Sequence, residues 1–207
     1  MTDTSAEAFL ALVGGRAGHF RLESGHHSAL WLDLDTLFAE PARVAPYVDA
    51  LARNLRKRDA ALICGPLLGG AFLAQLLAHT LDLEFAFTER VLPAHDRGLY
   101  GVGYRLPAAL GPLVRGKRVA IVDDVMSAGS ALRGTFAELL RHGALPVVAG
   151  TLLVLGTAGE EYFAGEGVPV DAVARRDYRL WIPEACPLCA ARQPLEDVVA
   201  LAGSASR

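Results

Sequence analysis

The central segment of the chain reads Val119-Ala120-Ile121-Val122-Asp123-Asp124-Val125-Met126-Ser127-Ala128-Gly129-Ser130-Ala131. Its four leading apolar residues are typical of a buried parallel strand, and the apolar spacing that follows predicts a helix from Ser130 to Arg141. Open α/β sheets bind ligands at the carboxyl ends of their strands. We therefore expect Asp123 and Asp124 to lie beside a helix start that can hold a phosphate. The plainer alternative is a strand end followed by a helix cap.

A second segment has the same order of features. Residues 63–71 read Ile-Cys-Gly-Pro-Leu-Leu-Gly-Gly-Ala, which predicts a short strand, a glycine turn and a helix from Gly69 to Leu81. Such a turn lets the main chain approach an anion, although many α/β proteins have one for packing reasons alone. Strand and helix patterns alternate along the chain, which favours βαβ units and a parallel sheet.

Composition and charge exclude several classes of protein. Of 207 residues, 52% are hydrophobic and 21% are charged, as expected of a folded domain with a substantial core. The net charge of −3 gives no electrostatic reason to expect binding to nucleic acid or to an anionic membrane. The longest run without a charged residue, 60–81, is interrupted by glycine and proline and is not predicted to span a membrane. No secretory signal is recognisable, so we expect a cytoplasmic protein.

The central segment resembles the phosphoribosyl diphosphate (PRPP) motif of type I phosphoribosyltransferases, in which a strand, two acids, an apolar pair, Ser or Thr, a small residue and Gly follow one another. Residues 18–28, Gly-His-Phe-Arg-Leu-Glu-Ser-Gly-His-His-Ser, resemble the amino-terminal segment of the orotate enzymes of that family. The resemblance implies an α/β fold: a central parallel sheet flanked by helices, with a small hood. It also implies one domain, 1–207, with a core of about 40–175 and a hood from 1–39 and 176–207.

The same resemblance implies a reaction and its residues. The 5-phosphoribosyl group of PRPP, the co-substrate, passes to a ring nitrogen of a nucleobase with Mg²⁺ as cofactor, in a homodimer. The resemblance implies that Asp123 and Asp124 bind the ribose hydroxyls and, through water, the metal ion. The implied phosphate-binding residues are Val125, Met126, Ser127, Ala128, Gly129 and Ser130 for the 5-phosphate and Gly65, Pro66, Gly69 and Gly70 for the diphosphate. The implied mobile-loop groups are Arg90, His95 and Arg97.

Two departures from the family pattern bear on the substrate. Residues 92–104 contain no lysine, whereas the orotate enzymes carry one in this loop. Gly156-Thr157 stands where an Asp-Arg pair normally helps to bind the carboxylate of orotate. Orotate remains the favoured base. A PRPP-binding regulatory homologue with little catalysis, or a transferase for another base such as a purine, are the alternatives.

The three cysteines, Cys64, Cys186 and Cys189, do not form a disulfide framework. Cys186-Pro187-Leu188-Cys189 has metal-ligand spacing, but a zinc site would need histidines from elsewhere or from a partner subunit, and an ordinary turn is favoured. His26 and His27 are not expected to form a metal pair, since adjacent residues of an extended chain point apart. We further expect an exposed glycine-rich segment at Gly156–Gly167 and a last helix near Leu195–Leu201.

Overall fold

The structure, a computed structural model, describes residues 4–34, 36–91, 99–100 and 102–198. Its helices are α1 (Ala6–Val13), α2 (Pro41–Leu55), α3 (Gly69–Leu81), α4 (Gly111–Val114), α5 (Ser130–Arg141), α6 (Ala158–Gly165) and α7 (Pro187–Ala190). Its strands are β1 (Gly15–Arg21), β2 (His27–Leu32), β3 (Leu62–Pro66), β4 (Glu84–Val91), β5 (Gly103–Arg105), β6 (Arg118–Met126), β7 (Leu145–Leu155), β8 (Val170–Arg176) and β9 (Glu196–Asp197). The predicted helices at Gly69–Leu81 and Ser130–Arg141 are confirmed with the same bounds.

The main sheet has six strands in the order β5-β4-β3-β6-β7-β8. All neighbours are parallel except β4 and β5, which form the two arms of an antiparallel hairpin at one edge. The predicted fold class, a central parallel sheet flanked by helices, is therefore confirmed. Parallel neighbours bring the carboxyl ends of β3 and β6 to the same edge of the sheet, where each strand turns into its helix.

Helices cover the main sheet on both faces because its central strands are apolar on both sides. In β3, Ile63 packs into one core cluster while Leu62 and Cys64 pack into the other. In β6, Val122 and Ile121 alternate in the same way. The first cluster contains the buried faces of α1, α2 and α3, and the second contains those of α4, α5 and α6. This burial on both faces explains why these strands are almost continuously hydrophobic.

A second, smaller sheet joins the two ends of the chain in the order β2-β1-β9. We call it the small sheet. Strands β1 and β2 are antiparallel, whereas β9 pairs with β1 in parallel at Phe20 and Arg21. Arg16 strengthens the contact, since its guanidinium lies 4.8 Å from the centre of the Trp31 ring and bonds to both carboxylate oxygens of Glu196 at 3.2 and 2.7 Å.

The structure refines two local predictions. The segment Gly156–Gly167 contains α6, which forms because Phe163 is fully buried and its ring centre lies 5.9 Å from that of Phe136. The last helix, predicted near Leu195–Leu201, is preceded by β9 at Glu196 and Asp197, and Val198 is helical; residues 199–207 lie outside the described part of the chain. None of the helices formed by the described residues has the length and apolar character that a bilayer crossing requires.

Candidate active site

The glycine turn after β3 and the two acids near the end of β6 are in direct contact. A Cβ atom added to Gly69 would lie 2.0 Å from Oδ2 of Asp124, and one added to Gly70 would lie 2.8 Å from Oδ1 of Asp123. Only glycine therefore allows the turn to approach the carboxylates so closely. Strand β6 continues past both acids to Met126, so the acids are held by the sheet, and Asp123 is paired with Thr151 of β7.

A cavity of about 720 Å³ opens above this contact. Its volume is within the range of roughly 300–1,000 Å³ that is usual for small-molecule sites. The polar part of its wall consists of Glu23, Glu89, Arg90, Tyr104, Asp123 and Asp124. The glycine turn, from Pro66 to Gly69, forms another part, and Leu34, Phe38 and Phe72 add an apolar side. Of the predicted site residues, the structure thus brings Pro66, Gly69, Arg90, Asp123 and Asp124 to one cavity.

Negative charge is concentrated at the acid pair. Burial raises the pKa of Asp123 well above its usual value, and the carboxylates of Asp124 and Glu23 raise it further. Backbone groups orient the pair: the amide of Asp124 donates to Oδ1 of Asp123 at 3.0 Å, and the amide of Val125 donates to Oδ1 of Asp124 at 2.7 Å. Hydroxyl donors or a hydrated cation would relieve this repulsion. Carboxylate oxygens are also the ligands that Mg²⁺ prefers, so the residues fit that ion.

The loop between β6 and α5 is suited to an anion. Gly129, the N-cap of α5, has φ +77°, and no side chain caps the amide groups of the first helical turn. Uncapped amides at a helix start, together with the helix dipole, favour phosphate. The amide of Gly159 donates to the carbonyl of Ser127 at 3.0 Å and holds the loop against α6. Ala131 lines the large cavity, so the start of this 12-residue helix opens toward the acid pair.

Arg90, near the end of β4, supplies positive charge opposite the acid pair. Its Nε lies 3.3 Å from Oε2 of Glu23, an ion-pair contact whose geometry is too poor for a hydrogen bond. Nε and one terminal nitrogen of Arg90 are buried without a hydrogen-bond acceptor among the described residues. Buried guanidinium nitrogens normally have acceptors, so this side chain is suited to an anionic ligand in the cavity. His95 and Arg97 lie outside the described residues.

The sequence reasoning missed Glu23 and Tyr104. The hydroxyl of Tyr104 donates to Oε1 of Glu23 at 2.8 Å, and burial raises the pKa of Tyr104, so that it remains a donor. Tyr104 is a buried residue of β5, and it packs against α5: a Cβ on Gly134 would lie 2.5 Å from its ring. Glu23 lies in residues 18–28, the amino-terminal segment that resembles the orotate enzymes. That resemblance could have identified it as a site residue.

Comparison with known proteins agrees with this geometry. The family model described as a phosphoribosyl transferase domain matches residues 35–163. The chain belongs to the phosphoribosyltransferase family. The orotate phosphoribosyltransferase of Thermotoga petrophila is 30% identical over 180 residues, which cover 86% of this chain and 88% of the relative. As a phosphoribosyltransferase, the protein is an enzyme whose substrates are small molecules, with PRPP as co-substrate.

Solved structures share the fold. The orotate phosphoribosyltransferase of Aeropyrum pernix superposes with a TM-score of 0.62 at 24% identity, over 82% of this chain and 93% of that one. The adenine phosphoribosyltransferase of Thermoanaerobacter pseudethanolicus also gives a TM-score of 0.62, at 18% identity, over 82% of this chain and 99% of that one. Because transferases for different bases match equally well, overall shape does not discriminate between bases in this phosphoribosyltransferase.

Proposed function

We propose that this phosphoribosyltransferase transfers the 5-phosphoribosyl group of PRPP to orotate in the presence of Mg²⁺. The observation that carries the proposal is the contact of the glycine turn with the acid pair in one cavity, since it puts anion-binding main chain beside carboxylates suited to ribose hydroxyls. The choice of base is supported by the 30% identity to a relative named orotate phosphoribosyltransferase over most of both chains.

In this proposal the bond between C1 of the ribose and the diphosphate oxygen breaks, and its electron pair leaves with diphosphate. A ring nitrogen of the base supplies the electron pair for the new bond to C1 and gives up its proton to solvent. Asp123 and Asp124 hold the ribose hydroxyls, and residues 125–130 hold the 5-phosphate with their amides. The turn 65–70 and Arg90 neutralise the departing diphosphate, which is where charge develops. His95 and Arg97 stay predictions for the same task.

Asp123 and Asp124 are also the residues that would hold Mg²⁺, through water. The bound ion would offset negative charge on the leaving diphosphate. Burial is the main cause of the raised pKa of Asp123, and repulsion from Asp124 and Glu23 adds to it; a cation held nearby would relieve that repulsion, which supports this assignment.

The carboxylate of orotate needs a cation, and Gly156-Thr157 cannot supply one. Arg179 lines a smaller cavity of about 290 Å³ together with Gly156, Thr157 and Tyr178, beyond the end of β7. By contrast, Arg175 bonds to Glu160 at 3.0 Å. We therefore assign the carboxylate of orotate to Arg179.

A panel of bases tests the proposal. Purified protein with PRPP and Mg²⁺ is given orotate, uracil or adenine in turn, and diphosphate release is measured. We expect release with orotate, and a KM for orotate that rises at least tenfold in Arg179→Ala but not in the control Arg175→Ala. Diphosphate release with adenine alone would mean that the acceptor base is a purine and not orotate. Tight PRPP binding in calorimetry without turnover on any base would instead favour the regulatory alternative.

The remaining parts of the proposal concern organisation. We propose one domain with a core of about 40–175 and a hood formed by 1–39 and 176–207, in a cytoplasmic homodimer that binds neither membrane nor nucleic acid. The small sheet supports the hood, since its strands come from both ends of the chain. Light scattering on the purified protein measures the dimer directly.

A further inference from the structure

Four side chains with metal-binding atoms meet behind the small sheet. They are His19 of β1, His27 of β2, and Cys186 and Cys189 at the two ends of the Cys-Pro-Leu-Cys segment. One ligand atom from each lies within 4.8 Å of the ligand atoms of the other three. We call this group the Cys/His cluster. The Cys/His cluster contains the two histidines that a zinc site at the Cys-Pro-Leu-Cys segment would need in addition to the cysteines.

The spacing within the Cys/His cluster fits a tetrahedral ion. Zinc bonds of the usual length at tetrahedral angles would put two nitrogens roughly 3.3 Å apart, and a nitrogen and a sulfur roughly 3.5 Å apart. Nε2 of His19 lies 3.1 Å from Nδ1 of His27. Three of the four nitrogen-to-sulfur distances are 3.4 Å from Nε2 of His19 to Cys186, 3.7 Å from the same atom to Cys189, and 3.3 Å from Nδ1 of His27 to Cys189.

A second hydrogen bond orients His19 toward the Cys/His cluster. Its Nδ1 lies 2.9 Å from the main-chain carbonyl of Gln193, which can only accept, so Nδ1 carries the hydrogen. In the neutral ring, Nε2 then directs a lone pair at the two sulfurs. This pairing of one ring nitrogen with a carbonyl is the usual way in which proteins fix a metal-binding histidine.

The position of the Cys/His cluster indicates a structural site. His19, His27 and Cys186 are buried, with 3%, 4% and 3% of their surface exposed, and four protein ligands complete a tetrahedron without an open position. In the three contacting pairs the cysteine is 162 to 170 positions from the histidine, so an ion would tie the first hairpin to the carboxyl-terminal segment. The turn that carries Glu23 into the large cavity lies between the two histidines.

We propose that His19, His27, Cys186 and Cys189 bind one Zn²⁺ ion that fastens the small sheet. Binding converts two thiols to thiolates and releases their protons to solvent, with no change of oxidation state. The site is independent of the acid pair and of the choice of base, so neither proposal depends on the other.

Metal analysis of the whole protein tests the inference. Protein purified without chelator is expected to contain about one zinc ion per chain, as measured by inductively coupled plasma mass spectrometry. After stripping, Co²⁺ should give the visible ligand-field bands of a tetrahedral site and a thiolate charge-transfer band in the near ultraviolet. Both signals should be lost in the double variant Cys186→Ser/Cys189→Ser and in His19→Asn. They should persist in the controls Cys64→Ala, at the third cysteine, and His26→Asn, beside a proposed ligand.

The unaltered protein gives a second measurement that does not depend on variants folding. Stripping with a chelator should lower Tm, and adding Zn²⁺ should restore it. Failure of the wild-type chain to take up Zn²⁺ or Co²⁺ would overturn the inference. So would uptake that persists in the double cysteine variant, or a disulfide between Cys186 and Cys189 in freshly purified protein.

Discussion

The substitution Gly69→Ala tests the contact on which the active-site assignment rests. The new methyl group would lie 2.0 Å from Oδ2 of Asp124, whereas an ordinary contact needs at least 3.4 Å. The carboxylate is the end of a flexible side chain, so it yields and moves by about 1.4 Å. A misplacement of about 1 Å in a reacting group costs on the order of 100-fold in rate. We therefore expect kcat/KM for PRPP to fall about 100-fold.

Stability should change little in this variant, since alanine is a better helix former than glycine by up to about 1 kcal/mol and Gly69 begins α3. Initial rates of diphosphate release, calorimetric PRPP binding and Tm are the measurements. Gly165→Ala, in α6 with nothing within 4 Å of the added atom, is the matched control and should keep wild-type kinetics. In contrast, the Cβ atom introduced by Gly65→Ala would lie 2.0 Å from the carbonyl oxygen of Gly70. Backbone cannot move aside as a side chain does, so this variant should lose about 1–3 kcal/mol of stability. Wild-type kcat/KM in Gly69→Ala would refute the assignment.

Two further substitutions test the charges around the cavity. Arg90→Gln should lower kcat/KM for PRPP by roughly 10- to 150-fold, since a hydrogen bond to a charged group contributes about 1.5–3 kcal/mol. An unchanged kcat/KM would show that Arg90 does not bind PRPP. Asp123→Asn should abolish turnover yet raise Tm at neutral pH. Because the folded pKa of Asp123 lies above the unfolded one, the carboxyl favours folding at acid pH and loses that contribution as pH rises through both pKa values. Thermal unfolding from acid to neutral pH, without PRPP or Mg²⁺, should therefore show the advantage of the variant growing with pH; a variant less stable at neutral pH would contradict the reasoning.

Local sequence signals were sufficient for the central βαβ units. Helices α3 and α5 begin where the glycine turn and the small-residue turn end, because those turns interrupt otherwise apolar segments. At 156–167 the glycine content predicted an exposed segment and gave no sign of a helix. Burial of Phe163 against α5 outweighs that local preference, and such packing is not visible in a short window of sequence.

Contacts between distant segments could not be predicted from spacing. The Cys-Pro-Leu-Cys segment has two ligands, and the sequence alone left an ordinary turn as the simpler interpretation. Only the pairing of β1 with β2, and of His27 with Trp181 at an isolated bridge, brings the histidines to the cysteines. The prediction that His26 and His27 point apart is confirmed in the same place: His27 faces the Cys/His cluster, and the ring of His26 packs 5.6 Å from that of Tyr100.

Glu23 connects the small sheet with the chemistry of the cavity. Its carboxylate contributes to the raised pKa of Asp123, and it also forms the ion pair with Arg90. An anionic ligand that binds Arg90 must compete with Glu23 for the guanidinium, while a cation at the acid pair removes part of the repulsion that Glu23 adds. Binding of a polyphosphate together with a cation therefore satisfies both groups, whereas either one alone leaves an unbalanced charge. The position of Glu23, on the turn between His19 and His27, makes the small sheet part of this electrostatic balance.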